Sequence, residues 1–152
     1  MATPADTRVL LDAMCGGMRS ILRMIGYDTA YALDRGVEAD EAVLDLATSE
    51  DRLLVTRNRS LADAAPRAVL VESKDPDEQL AELAAAGLEL ELDRPVRCSA
   101  CNGPLERVGA GEPTPEYAPD PGETDVWRCR DCGQAYWMGS HWADVRRRLA
   151  AL

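Results

Sequence analysis

Residues 8–12 read Arg-Val-Leu-Leu-Asp, a short apolar run that ends in a carboxylate. Three consecutive apolar residues favour a strand that is buried on both faces, as strands of parallel sheets are. Apolar residues then recur at helical spacing through residues 14–26, and Gly26 is expected to end that helix. A buried strand followed directly by an amphipathic helix predicts the first unit of a parallel α/β sheet.

The same alternation continues to about residue 87. Further strands are predicted at residues 29–33, 53–56 and 68–72. Further helices are predicted at residues 40–49, 60–65 and 75–87. Asp75 is the expected cap of the last of these, with Pro76 at the first helical position and Glu78 three residues after the cap. Because such connections are almost always right-handed, we expect a three-layer α/β domain with a central parallel sheet.

Four of the five cysteines form two Cys-x-x-Cys pairs, the pattern of a zinc ribbon. They are Cys98, Cys101, Cys129 and Cys132. Two such turns supply four thiolates to one tetrahedral ion, so we expect structural Zn²⁺ with no open coordination position. A redox dithiol, another metal and disulfides are the alternatives. The isolated Cys15 is expected to be a buried small hydrophobe rather than a reactive thiol.

The chain divides near Arg94 and Pro95 on this interpretation. We expect an α/β domain over residues 7–94, and a zinc ribbon with a C-terminal helix over residues 95–152. Ser140 is the expected cap of that last helix. The first residues lack the pattern of an export signal, and the cysteines are paired as metal ligands. Both observations favour the cytoplasm over a secreted disulfide framework.

The charge of the chain restricts its partners. The net charge is −10, and residues 1–95 hold 19 acidic residues against 10 basic ones. This acidity disfavours a protein that coats nucleic acid, since that role needs a basic surface to release counterions. No run approaches the roughly 20 apolar residues of a membrane helix, so no membrane partner is expected. The charge does not exclude an enzyme that binds nucleic acid locally through Arg and a bound metal.

Several oxygen-bearing side chains are predicted to meet at one edge of the sheet. Asp12 ends the first strand, Asn58 follows the third by two residues, and Asp40 and Glu41 open the second helix. In an open parallel sheet, ligands bind beyond the carboxyl ends of the strands. Oxygen ligands gathered there would hold Mg²⁺ or Mn²⁺ for phosphodiester hydrolysis. The alternative is that the two helix-start acids are only first-turn charges favoured by the helix dipole.

Segments distributed along nearly the whole chain also carry a family resemblance. They are Val9–Met14, Leu22–Thr29, Leu54–Arg59, Val71–Ser73, Asp75–Leu80, Cys98–Leu105, Trp127–Gly133 and Tyr136–Trp142. Together they resemble the mut-seven C-terminal RNase family. The resemblance implies a PIN-like nuclease fold followed by a zinc ribbon, and a metal-dependent ribonuclease activity on RNA.

The resemblance also implies roles for the polar residues at the sheet edge. Asp12 takes the place of the first metal ligand, Asp40 or Glu41 that of the second, and Asn58 that of the third. Three arginines, Arg19, Arg23 and Arg57, are candidate RNA contacts, since guanidinium matches phosphate geometry.

Three positions depart from the family pattern. Asn58 stands where Asp is usual, Ala13 stands where Glu is frequent, and a basic residue expected near Gly17 is missing. An amide offers an oxygen but no charge, so a metal site built with Asn58 is weaker. The alternative hypotheses are therefore an RNA-binding or adaptor protein that has lost the chemistry, and a partner-binding module that uses the ribbon and the last helix. The sequence does not identify a protein partner.

Overall fold

The computed structural model describes residues 2–152 and shows a parallel sheet followed by a small antiparallel one. The parallel strands are β1 (Arg8–Leu11), β2 (Asp28–Tyr31), β3 (Arg52–Thr56) and β4 (Ala68–Leu70). The helices are α1 (Arg19–Ile25), α2 (Asp40–Ser49), α3 (Arg59–Ala64), α4 (Pro76–Ala85) and α5 (Ser140–Ala150). The strand order is β2-β1-β3-β4, with all pairs parallel. The predicted central parallel sheet is confirmed.

Helices cover both faces of this sheet, because alternate strand residues point to opposite sides. Val9 and Leu11 face the larger core, which contains apolar residues of α1, α4 and α5. Leu10 and Leu54 face a second core, built with α2 and α3. The two cores make the predicted three-layer arrangement.

The strand order reverses between β1 and β3. From β1 the chain passes to β2 on one side, and then crosses back to β3 on the other side of β1. At such a reversal the helices after the two central strands diverge to opposite faces, which leaves a crevice at the carboxyl ends of those strands. Asp12, directly after β1, and Thr56, the last residue of β3, flank that crevice.

The helix expected at residues 14–26 is interrupted. Residues 13–18 form a 3₁₀ helix, and the α-helix begins only at Arg19. This segment passes very close to its neighbours, since a Cβ on Gly16 would lie 2.5 Å from the Tyr31 ring and one on Gly17 2.6 Å from Pro76. The tight approach to two other elements is a tertiary constraint that helical spacing does not reveal. Gly26 ends the helix as predicted, in the left-handed region with φ 119°.

Of the caps predicted for the last two helices, one is confirmed and the other is wrong. Asp75 caps α4 as predicted, since its Oδ2 accepts a hydrogen bond of 3.0 Å from the Glu78 N–H. Ser140 is not a cap, and that prediction is wrong. The capping position of α5 is Gly139, which has no side chain to accept a bond from the first turn.

The C-terminal part forms a ribbon of three antiparallel strands, β5 (Leu105–Arg107), β6 (Val126–Cys129) and β7 (Ala135–Trp137). A small apolar cluster of its own, which includes Val108 and Val126, stabilises it. The following helix α5 instead places Trp142 and Val145 in the core of the parallel sheet. The helix that follows the ribbon in sequence thus packs with the first domain in space, and the division at residues 94–95 stays a prediction. No helix within residues 2–152 is long and apolar enough to cross a membrane.

Candidate functional site

The four paired cysteines converge on one point. Their sulfur atoms all lie within 4.8 Å of one another. The Sγ atoms of Cys98 and Cys132 are 3.7 Å apart, and those of Cys101 and Cys129 are 3.5 Å apart. A tetrahedral zinc with Zn–S bonds of about 2.3 Å separates its sulfurs by about 3.8 Å. The donor type and the spacing therefore fit Zn²⁺, which these four thiolates would hold with no position open to substrate.

Hydrogen bonds around Cys98 favour its metal-binding form, the thiolate. The Tyr136 hydroxyl lies 2.9 Å from the Cys98 Sγ, and the Cys101 N–H donates to the same sulfur. Burial alone raises the pKa of Cys98, but the bonds from Tyr136 and from backbone N–H groups outweigh it and lower the pKa to about 7. A thiol with a lowered pKa is more readily available as the thiolate that binds metal.

The first cysteine turn docks onto the edge of the parallel sheet through Asn102. Its Oδ1 accepts a hydrogen bond of 2.9 Å from the Thr29 N–H, and its Nδ2 donates one of 2.7 Å to Asp28 Oδ1. Because β2 is an edge strand, this side chain occupies part of an edge that would otherwise be open to pairing. Asn102 itself adopts φ 74°, a left-handed conformation that Asn tolerates better than most residues.

Arg23 forms the second connection, and this corrects a prediction. Its residue is only 3% exposed. Its Nε donates to the Thr29 carbonyl at 3.0 Å, and its Nη1 donates to the carbonyls of Ser99 and Ala100 at 3.1 and 3.3 Å. A guanidinium buried against three carbonyls is not presented to a phosphate. Arg23 therefore holds the metal ribbon on α1 and β2 instead of contacting RNA.

The carboxyl edge of the sheet gathers three of the polar residues at the crevice. Asp12 Oδ2 accepts a hydrogen bond of 2.7 Å from the Thr56 hydroxyl, and its Oδ1 accepts one of 2.8 Å from the Ala13 N–H. The Thr56 hydroxyl in turn accepts a bond of 3.0 Å from the Asn58 N–H. Sequence reasoning did not single out Thr56. The signal was available, since a threonine that ends the apolar run Leu53–Val55 needs a partner for its hydroxyl once it is buried.

Asn58 caps a helix at this edge. Its Oδ1 accepts a hydrogen bond of 3.2 Å from the Leu61 N–H and so caps α3. An amide oxygen has two lone pairs, so one remains available to a second partner. The residue is exposed and lies at the crevice, as the sequence predicted for a ligand position, but its oxygen is already engaged.

Asp40 and Glu41 are exposed in the first turn of α2. Within residues 2–152, the four cysteines are the only group of three or more potential ligands whose donor atoms all lie within 4.8 Å of one another. Asp12, Asp40 and Glu41 thus do not form a closed three-carboxylate cage. Asp12 is the acid that directly follows β1 at the crevice.

The two other predicted RNA contacts lie nearer the surface. Arg19 pairs with Asp34 at 2.8 Å and lies over the Tyr31 ring. Arg57 donates from Nε and Nη2 to the Glu72 carbonyl, at 3.2 and 3.1 Å. Both guanidinium groups are more exposed than that of Arg23, and their contact with RNA stays a prediction.

Cys15 is fully buried beneath this edge, as expected of a small hydrophobe. Burial raises its pKa to about 12, with a further contribution from the nearby charge of Asp12. A thiol with so high a pKa is not a nucleophile at neutral pH. No cysteine chemistry is therefore expected at the crevice.

The chain thus combines an α/β domain, which has acidic and amide side chains at its strand reversal, with a four-cysteine ribbon docked on one edge of the sheet. Residues 7–149 match the family described as the Mut7-C RNAse domain. The match covers nearly the whole chain, and the chain belongs to this family. No curated protein and no solved structure gives a significant match.

Proposed function

We propose that this protein is a divalent-metal-dependent ribonuclease that hydrolyses RNA phosphodiester bonds at the carboxyl edge of its parallel sheet. Membership of an RNase domain family supports the ribonuclease activity and RNA as substrate. The position of Asp12 is the observation that carries the choice of site. It is the carboxylate that directly follows β1 at the strand reversal, where open α/β sheets bind their ligands.

Asp12 would hold Mg²⁺ or Mn²⁺ together with Asp40 or Glu41, and Asn58 would supply a neutral oxygen. Magnesium is usually bound through one or two carboxylates, and substrate phosphate and water complete its coordination. The small number of acids at this edge is therefore enough for a magnesium site. When bound, the ion would activate water for attack and neutralise charge on the phosphate.

The remaining residues at the edge would orient these groups. The Thr56 hydroxyl holds Asp12 Oδ2, and the Ala13 N–H holds Oδ1, so the carboxylate has a fixed direction. Each oxygen keeps a further lone pair for a cation. Arg57, held against the Glu72 carbonyl beside the crevice, would contact a phosphate of the RNA, and Arg19 would do so from the start of α1.

The structure also supports a second candidate function, an RNA-binding or adaptor protein with impaired chemistry. The favouring observation is that the Asn58 oxygen caps α3, since a neutral and already bonded oxygen is a weak ligand. The packing at Gly17 points the same way, because a side chain there would meet Pro76. The resemblance implies a basic residue near Gly17, and position 17 itself has no space for a side chain. This function predicts RNA binding without a requirement for Mn²⁺ and no cleavage.

The test is cleavage of single-stranded RNA by the zinc-loaded chain, with and without added Mn²⁺. Asp12→Asn keeps the shape of the side chain but removes its charge, and we expect it to reduce the Mn²⁺-dependent rate by about 100-fold or more. Asp63→Asn is the matched control, since Asp63 is an exposed acid on α3. Equal rates for Asp12→Asn and Asp63→Asn would exclude the proposed site. RNA binding by the wild type without cleavage would support the second function.

A further inference from the structure

A groove lies on the side of the molecule away from the carboxyl edge. It has a volume of about 970 Å³, and residues 3–5, residues 89–94 and the end of α5 line it. Residues 3–5 precede β1, and Gly26, which also lines the groove, precedes β2. The groove is therefore at the amino ends of the strands and independent of the proposed ribonuclease site.

One wall of the groove is an extended segment with alternating side chains. Residues 88–93 read Leu-Glu-Leu-Glu-Leu-Asp and form no helix or turn. Leu90 and Leu92 pack against the larger core, whereas Glu91 and Asp93 are exposed. This alternation is the side-chain pattern of an edge strand with one buried face.

The segment begins to pair with the N-terminal residues and then stops. Ala2 and Leu88 form a parallel bridge, in which the Ala2 N–H donates to the Gly87 carbonyl and the Glu89 N–H donates to the Ala2 carbonyl, both at 2.8 Å. In a parallel ladder the next donor would be the N–H of residue 4, but residue 4 is Pro. Proline has no N–H, so the ladder ends there. The Tyr27 hydroxyl instead donates to the Glu89 carbonyl.

Backbone groups are consequently left open along the wall of the groove. Within residues 2–152, the N–H groups of Glu91 and Asp93 have no hydrogen-bond partner. In an extended chain they point to the same edge as the Glu89 N–H, which is the edge that faces residues 3–5 across the groove. A row of open N–H and C=O groups beside an apolar floor is what an added strand binds.

We propose that this groove binds an extended peptide segment of a partner protein in which basic and apolar residues alternate. The added strand would pair with the backbone of residues 90–94 where Pro4 has left the ladder. Its apolar side chains would lie on the floor, which includes Ile25, Leu92 and Leu149. Its basic side chains would lie beside Glu91 and Asp93 on the outer face, where opposite charges on neighbouring strands stabilise the pair.

Charge favours a basic peptide in the groove over a second copy of the chain or single-stranded RNA. A second copy of the chain, paired through the same segment, would place Glu and Asp side chains against their own kind, which destabilises strand pairing. Single-stranded RNA would bring phosphates to a wall that carries Glu89, Glu91 and Asp93, and the two arginines in the lining, Arg94 and Arg146, do not offset these acids.

The test is the binding of a short capped peptide of alternating valine and lysine to the full-length protein. We expect saturable one-to-one binding by calorimetry, with amide NMR shifts that centre on residues 89–94. The double variant Glu91→Lys, Asp93→Lys should weaken binding about tenfold. Glu116→Lys, Glu123→Lys is the control with the same change in net charge, placed at two exposed acids of the ribbon loop, and it should bind as the wild type does.

A second peptide separates strand pairing from simple charge attraction. N-methylation of alternate residues removes the N–H groups of one peptide edge and keeps every charge. Methylation of the peptide edge that faces residues 90–94 should abolish binding, and methylation of the opposite edge should not, so we expect one methylated peptide to bind and the other to fail. Equal binding of both methylated peptides would overturn the proposal. It would also be overturned by a shift pattern away from residues 89–94, by displacement of the peptide with single-stranded RNA, or by dimerisation of the free protein through this segment.

Discussion

The Thr56 hydroxyl donates a hydrogen bond of 2.7 Å to Asp12 Oδ2, and this bond joins the ends of the two central strands at the point where the strand order reverses. The same hydroxyl accepts from the Asn58 N–H, so one buried oxygen connects the acid after β1 to the residue that caps α3. The geometry of the proposed site therefore depends on a residue that would not itself bind metal.

Removal of this hydroxyl should loosen the site. Thr56→Val keeps the shape of the side chain, but it leaves the Asn58 N–H and one Asp12 oxygen without their partner. We expect the free energy of unfolding in urea to fall by about 1–3 kcal/mol and the Mn²⁺-dependent rate to fall with it. Thr56→Ser should restore most of both quantities, and the exposed Thr124→Val should change neither. Wild-type stability and rate in Thr56→Val would show that the hydroxyl does not orient Asp12.

Patterns local in sequence predicted the elements that carry this site. The buried runs of β1 and β3 and the Asp75 cap of α4 depend on near neighbours, and the structure confirms them. The start of α1 was not predictable in this way, because Gly16 packs on a tyrosine of another strand.

Contacts between residues far apart in the chain account for the remaining differences between the predictions from sequence and the structure. Arg23 reaches carbonyls that lie 76 and 77 residues away in the chain, so nothing in its local sequence distinguishes it from a surface arginine. The Asn102 contact with β2 spans 73 residues, so local sequence does not predict it either. Asn58 follows β3 and caps α3, and this cap competes with its proposed role as a ligand. Sequence alone does not weigh one role against the other.

The ribbon should depend on its metal. Cys101→Ser should reduce the bound zinc, measured by mass spectrometry of the purified protein, from about one equivalent to nearly none. The loss should also expose Trp127, which is 8% exposed in the folded ribbon, and so red-shift the tryptophan fluorescence. Cys15→Ala removes the cysteine outside the cluster and should retain zinc. Retention of one equivalent by Cys101→Ser would contradict the four-cysteine site.

Arg23 should be important for stability and unimportant as a direct RNA contact. Arg23→Ala leaves three carbonyls without their donor and creates a cavity between α1 and the ribbon. We expect a loss of about 2–4 kcal/mol in the free energy of unfolding. The exposed Arg59→Ala should stay within about 0.5 kcal/mol of the wild type. A stable Arg23→Ala protein that has lost only RNA affinity would restore the original prediction.

Acid should weaken the docking of the ribbon through Asp28. Burial raises the pKa of Asp28, but hydrogen bonds from Asn102 and Arg52 outweigh it and hold the pKa below its ordinary value of 3.8. A lowered carboxyl pKa means that the stabilisation is complete above the unfolded-state pKa and is lost as the pH falls through the folded-state value. The stability advantage of the wild type over Asp28→Asn should therefore be full near neutral pH and should shrink below pH 3.8. The measurement is urea unfolding of both proteins at several pH values. A stability difference that does not change with pH would show that the charge of Asp28 contributes nothing.

The binding of Mn²⁺ to the zinc-loaded protein, followed by electron paramagnetic resonance, tests the proposed site most directly. Asn58→Asp provides a gain-of-function variant, since Asp caps helices as well as Asn does and adds the missing charge. We predict one Mn²⁺ site in the wild type, tighter binding in Asn58→Asp, and no site in Asp12→Asn. The same weak Mn²⁺ binding in all three proteins would contradict a metal-dependent nuclease centred on Asp12.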